Sequence, residues 1–129
     1  MANMRMLLLA SAGGAIGAGA RWWVMQWFAA KGWAAYPWAT LLVNVTGSAL
    51  MGLLVGLLMS RPAHSPELRV FLATGILGGY TTFSAFSLEV WQLAERGEAG
   101  AAVAYVAASI VMAMVGLGIG LLAARWMVS

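Results

Sequence analysis

The sequence predicts an all-α membrane protein of four transmembrane helices, and three observations lead there. Apolar residues make up 63% of the chain and Asp, Glu, Lys and Arg only 9%, where a soluble domain carries about a quarter charged. The few charges leave four apolar stretches, each above the roughly 20 residues a helix needs to cross the hydrocarbon core. No stretch between them is long enough for a soluble domain. A mean hydropathy of +0.87 and the absence of Cys also exclude a disordered chain and a disulfide scaffold. The net charge of +3 comes from Lys and Arg scattered singly, which form no basic stripe and leave nucleic acid without a binding surface.

The expected spans are about Met6 to Ala30, Pro37 to Ser60, Arg69 to Leu93 and Ala99 to Ala124, together one four-helix transmembrane domain over residues 1–129. The first contains Arg21 and the third Glu89; the second and fourth are uncharged. Arg5 followed by MLLLASAGGA has the outline of a signal peptide. The apolar run, however, continues past Arg21 through WWVMQWFAA, so it reads as the first helix.

Orientation follows from the Lys and Arg bias of the short loops, and here the bias nearly vanishes. Arg5, Arg61, Arg69 and Arg125 fall on one side, against Arg21, Lys31 and Arg96 on the other. Such a chain is able to insert both ways, and opposed copies can pair as an antiparallel, dual-topology homodimer. Four helices alone are too few to enclose both a packed core and a permeation path. Gly13 and Gly17, Gly52 and Gly56, and Gly116 and Gly120 each have the spacing that permits close helix approach, within one subunit or between two.

Polar residues inside apolar spans are costly unless partnered, which makes them the first functional candidates. On the second helix Thr40 and Asn44 lie one turn apart, and Asn44 offers two amide donors to an anion or to a neighbouring helix. The third span carries GILGGYTTFSAFSLE, Gly75 to Glu89, whose glycines and hydroxyls point to a helix broken mid-membrane, with Gly78, Gly79, Tyr80 and Thr81 as the unwound turn, or to a kinked helix whose hydroxyls bond back to its carbonyls. Beyond it Phe83 and Phe86 fall three apart, and their weakly positive ring edges suit a small anion as well as plain packing. Glu89 ends this pattern as a proton or cation site or as a side chain reaching water. Tyr105 and Ser109 add two hydroxyls one turn apart on the fourth helix. No Cys, and a single His64 in a loop, leave no nucleophile, metal cluster or phosphate loop, so no enzyme is expected.

Three segments in order, GGAIGAGARWW at Gly13 to Trp23, TLLVNVTGSALMG at Thr40 to Gly52, and GILGGYTTFSAFSLE, together resemble the Fluc (CrcB) family of fluoride channels over nearly the whole chain. The resemblance implies an antiparallel dual-topology homodimer in the bacterial inner (plasma) membrane, with two fluoride pores and a central structural sodium ion. It implies Asn44 as the pore amide, Phe83 and Phe86 as the rings facing fluoride, and the backbone carbonyls of Gly78 and Thr81 as sodium ligands. Tyr105, Ser109, Thr40 and Glu89 would continue a polar track, and Arg21 matches the family's first-helix arginine. Where the family has a further hydroxyl one turn beyond Ser109, this chain has Ala113.

The implied activity is passive fluoride export, with tight donor placement rather than net charge excluding chloride. The alternative is a small multidrug-type, proton-coupled cation exporter, which needs a membrane carboxylate in its first helix; the only carboxylate within these spans is Glu89, in the third. A purely structural membrane subunit would explain the glycines but not the Asn, Phe and hydroxyl constellation.

Overall fold

A computed structural model describes residues 3–61 and 65–129; His64 lies outside them. The chain forms four helical runs, with no strand among the described residues. The first run, α1 (Met4–Ala30), starts at an extended Asn3 whose side chain accepts the Arg5 N–H at 3.0 Å, satisfying one free first-turn amide. It ends on Gly32, φ +77°, with Trp33 N–H on Phe28 O and Gly32 N–H on Ala29 O, both at 3.0 Å. α2 (Trp38–Met59) begins behind Pro37, where the missing N–H leaves no helix bond unmade.

The third run is composite. Ser65 caps α3 (Pro66–Arg69) through Leu68 N–H at 3.3 Å, and the helix widens at once into a π-helical stretch, Val70–Leu77. α4 (Gly78–Tyr80) follows, and after residues 81–83 the helix resumes as α5 (Ser84–Glu95). Gly97, φ +80°, closes α5 as Gly32 closes α1, with Glu98 N–H on Leu93 O at 2.9 Å. The fourth run is α6 (Ala99–Val128).

Three segments are long and apolar enough to cross a membrane: Trp38–Leu58, Pro66–Glu95 and Ala99–Val128. α1 is not one of them, although its 27 residues reach about 40 Å at ~1.5 Å each. Arg21, Gln26, its glycines and its tryptophans dilute its hydropathy.

Small residues join the runs in two pairs. α2 lies so close to α6 that a Cβ on Gly52 would strike Leu117 O, and one on Gly120 would strike Ala49 O. α1 meets the third run the same way: a Cβ on Gly13 would stand 2.5 Å from Phe71 O, and one on Gly79 2.5 Å from Gly14 O. The paired glycines seen in the sequence therefore hold helices of one chain together. Leu93, Ala102 and Tyr105 form a small buried cluster between α5 and α6, with Phe86 and Leu41 packed on it. At this end Arg96 Nη2 ties the loops together, donating to Ala35 O and to Glu98 Oε2, each at 2.9 Å.

Candidate functional site

The site is organised around residues 81–83, where the third run leaves the helix. Thr81 N–H still reaches Leu77 O at 3.1 Å, but Thr81 itself is extended, φ −84° and ψ 158°. The backbone N–H and C=O of Thr82 would lose their helical partners, and Asn44 replaces them. Its Oδ1 accepts Thr82 N–H at 2.8 Å while its Nδ2 donates to Thr82 O at 3.0 Å. One side-chain amide thus satisfies both backbone groups of one residue, an arrangement that buried backbone demands. Thr82 Oγ1 in turn accepts Ala85 N–H at 3.1 Å and caps the start of α5. The segment seats in a notch on α2, since a Cβ at Gly47 would strike Thr81 Cγ2.

The departure from the helix falls later than the sequence suggests. Gly78, Gly79 and Tyr80 stay helical. At Gly79 the missing side chain admits the α1 backbone rather than a turn, as the close approach to Gly14 requires. Arg21, from α1, donates its Nε to Gly79 O at 3.2 Å, placing a cation at the carbonyl end of α4.

Beside this segment lies an open groove of about 440 Å³, walled by Asn44, Thr82, Phe83, Phe86, Ser109 and Ala113 among others. Arg21 is not part of its wall. The rings form a ladder: Phe83 and Phe86 meet edge to face with centroids 5.4 Å apart, and Phe86 and Tyr105 at 5.1 Å. Tyr105 and Ser109 are both buried; among the described residues neither hydroxyl has a partner within hydrogen-bond distance, although that of Tyr105 lies beside Thr40 and Glu89. Further along, the fully buried Thr40 hydroxyl is shared between Glu89 Oε1 at 2.7 Å and Oε2 at 3.0 Å. That pair forms part of the wall of a second cavity, about 160 Å³, which Tyr36 and Arg96 also line. Asn44, Phe83, Phe86 and Ser109 therefore line one groove, Thr40 and Glu89 line a separate cavity, and Tyr105 meets the groove through its contact with the Phe86 ring.

Thr81 lies on the groove wall, and Gly78 is exposed on the outside of the chain. Among the described residues no three His, Cys, Asp or Glu side chains cluster, so a cation here would have to take backbone carbonyls. Two contributors had no sequence signal that set them apart. Thr82 is indistinguishable in sequence from Thr81, and the Tyr80 hydroxyl meets Thr46 Oγ1 at 3.0 Å only through the fold.

Residues 8–121 match the model of the family described as "CrcB-like protein, Camphor Resistance (CrcB)". The chain belongs to the CrcB family. A relative named "Fluoride-specific ion channel FluC" from Rhizobium meliloti (strain 1021) is 48% identical over 125 residues, covering 97% of this chain and all of that protein. Proteins of the same name from Rhodospirillum centenum (strain ATCC 51521 / SW) and Chelativorans sp. (strain BNC1) are 52% and 50% identical, each over 92% of this chain. These CrcB relatives are named as ion channels, and this CrcB chain is no enzyme. With its apolar helices it is a multi-pass protein of the bacterial inner membrane.

Proposed function

We propose that the chain is a fluoride-selective channel that passively exports fluoride from the cytoplasm. The observation that carries this reading is the pair of buried hydroxyls with no partner within hydrogen-bond distance, Ser109 on the groove wall with Asn44 and Tyr105 beside the Phe86 ring. An unsatisfied buried hydroxyl costs about 1–3 kcal/mol, so two in succession call for a ligand that accepts hydrogen bonds. Asn44 commits only one of its two amide hydrogens to Thr82 O, and the other is available to the same ligand. The positive edges of Phe83 and Phe86 complete a lining that suits a small anion. No Lys or Arg side chain lines the groove, so the ion meets donors without a full charge that would hold it. Arg21 acts from behind the wall, and Thr40 with Glu89 marks where the track opens to the second cavity. The relatives' shared name supports the choice of fluoride among small anions.

The working unit is an antiparallel homodimer with two pores, surrounded by membrane lipid. Thr74, Gly78, Phe83, Ser84 and Ser87 are all exposed on the single chain, Phe83 by 68%. Lipid does not tolerate an interrupted helix and a row of hydroxyls at its surface, and a second copy would cover them. The balanced Lys and Arg distribution allows that copy to be inverted. A structural sodium ion fits the same axis. Gly78 opens α4 and Thr81 follows it, so both backbone carbonyls belong to the stretch where the helix is interrupted, and Gly78 presents no side chain there. One chain offers too few oxygens, and two copies double them. When bound, the sodium adds a static positive field off the ion path.

The test is fluoride efflux from proteoliposomes, read with an electrode and triggered by valinomycin in a potassium gradient. Efflux that needs the ionophore and spares chloride is expected; no efflux from well-folded protein would contradict the proposal. A reporter fused to the C-terminus should reveal both orientations, and one strict orientation would contradict antiparallel pairing.

A further inference from the structure

Tyr80 is the last helical residue before the interruption, and nothing in the track requires its hydroxyl. Its contacts nevertheless span α2. The Thr46 hydroxyl donates its single proton to Leu42 O at 2.7 Å, so its oxygen is free to accept from Tyr80 OH at 3.0 Å. The Tyr80 ring reaches Thr46 by lying across Gly47: a Cβ there would stand 3.2 Å from Tyr80 Cδ2. On a helix Asn44 and Thr46 point to nearly opposite flanks, with Gly47 on the face between them. α2 therefore holds the interrupted segment twice, Asn44 gripping Thr82 on one flank and Thr46 gripping Tyr80 on the other, with the glycine notch as the saddle.

Two grips do what one cannot. An anchor on one flank leaves residues 81–83 able to turn about the Asn44 side chain, whereas anchors on both flanks fix the Thr82 backbone. That backbone sets the plane of the Asn44 amide, because Asn44 bonds the N–H and the C=O of Thr82, which belong to the peptide units on either side of its Cα. The amide plane in turn decides where the second Nδ2 hydrogen points.

We propose that Tyr80 is a positioning residue: its hydrogen bond to Thr46 holds the Thr82 peptide so that the free Asn44 N–H is aimed into the groove, and it thereby contributes to discrimination between fluoride and chloride. This rests on the reading of the groove as a fluoride path. A small, strongly hydrated anion gives up water only for donors already in place, so a loosened amide loses more for fluoride than for the larger chloride. The Tyr80 ring is not part of the groove wall, and its effect passes through Asn44 alone.

The experiment measures fluoride and chloride efflux from the same proteoliposome preparations for the parent, Tyr80→Phe, Thr46→Val, Thr46→Ser and the double variant Tyr80→Phe/Thr46→Val. Tyr80→Phe keeps the ring over Gly47 and removes only the hydroxyl. The fluoride-to-chloride ratio should fall about three- to tenfold in Tyr80→Phe and in Thr46→Val, in keeping with the loss of one neutral hydrogen bond. The double variant should be no worse than either single, and Thr46→Ser should match the parent. An unchanged ratio in Tyr80→Phe, or effects that add in the double variant, would overturn the proposal. Should Tyr80→Phe fail to fold, Thr46→Val against Thr46→Ser decides in the same way, since equal ratios would overturn it. A parent without fluoride efflux would instead defeat the channel reading itself.

Discussion

Two regions of the molecule treat the same kind of polar group in opposite ways. At the Thr40 end the buried hydroxyl is fully used, holding both oxygens of Glu89. On α6, Tyr105 and Ser109 are also buried, and among the described residues their hydroxyls have no partner within hydrogen-bond distance. The first pair is self-sufficient and acts as structure. The second is incomplete as protein alone, and a fold keeps an incomplete polar group only where something else completes it. The interruption at residues 81–83 belongs to the self-sufficient kind, because Asn44 supplies what the helix no longer does.

This contrast predicts which substitutions act on stability and which act on flux. The largest effect is expected from Asn44→Ala, which orphans Thr82 N–H and O at about 1–3 kcal/mol per group. Thermal unfolding in detergent should show a large drop, and fluoride efflux should vanish with it. Thr40→Val comes next, at about 1.5–3 kcal/mol for the lost bond to a carboxylate, again read by unfolding. An unfolding temperature no lower than the parent's would mean that Thr40 and Glu89 are not a structural pair.

Phe83→Ile should be the mildest for the fold of the single chain, which leaves the ring largely exposed. It should still impair fluoride efflux while leaving the dimer intact by size-exclusion chromatography. Unchanged flux would reduce the ring to packing.

Much of this site is legible from composition alone because a polar residue in an apolar run has few tolerable explanations. Thr40, Asn44, Glu89, Tyr105 and Ser109 stand out for that reason and Phe83 and Phe86 by their spacing of three; the fold brings Asn44, Phe83, Phe86 and Ser109 to one groove and Thr40 and Glu89 to a second cavity. What sequence periodicity misses is where helices touch. Glycine at 79 reads equally as a loosened turn or as a close contact, and only the approach of Gly14 decides for contact. The π-helical stretch Val70–Leu77 has no residue pattern that separates it from an ordinary helix. Arg21 resembles a pore residue in sequence, but the packing of α1 on the third run directs it to Gly79 O. The shortfall of α1 as a span has a related cause, since its surface is given over to glycines that pack and tryptophans that are exposed.

The central claim is that the two unpartnered hydroxyls receive the ion, and the most direct test is the double variant Tyr105→Phe/Ser109→Ala. It removes two buried groups that bond nothing in the protein, so its unfolding temperature should equal or exceed that of the parent. Fluoride efflux, measured at low fluoride in the same proteoliposomes, should fall by at least about tenfold, the equivalent of one lost hydrogen bond to an ion. Efflux equal to that of the parent would contradict the account.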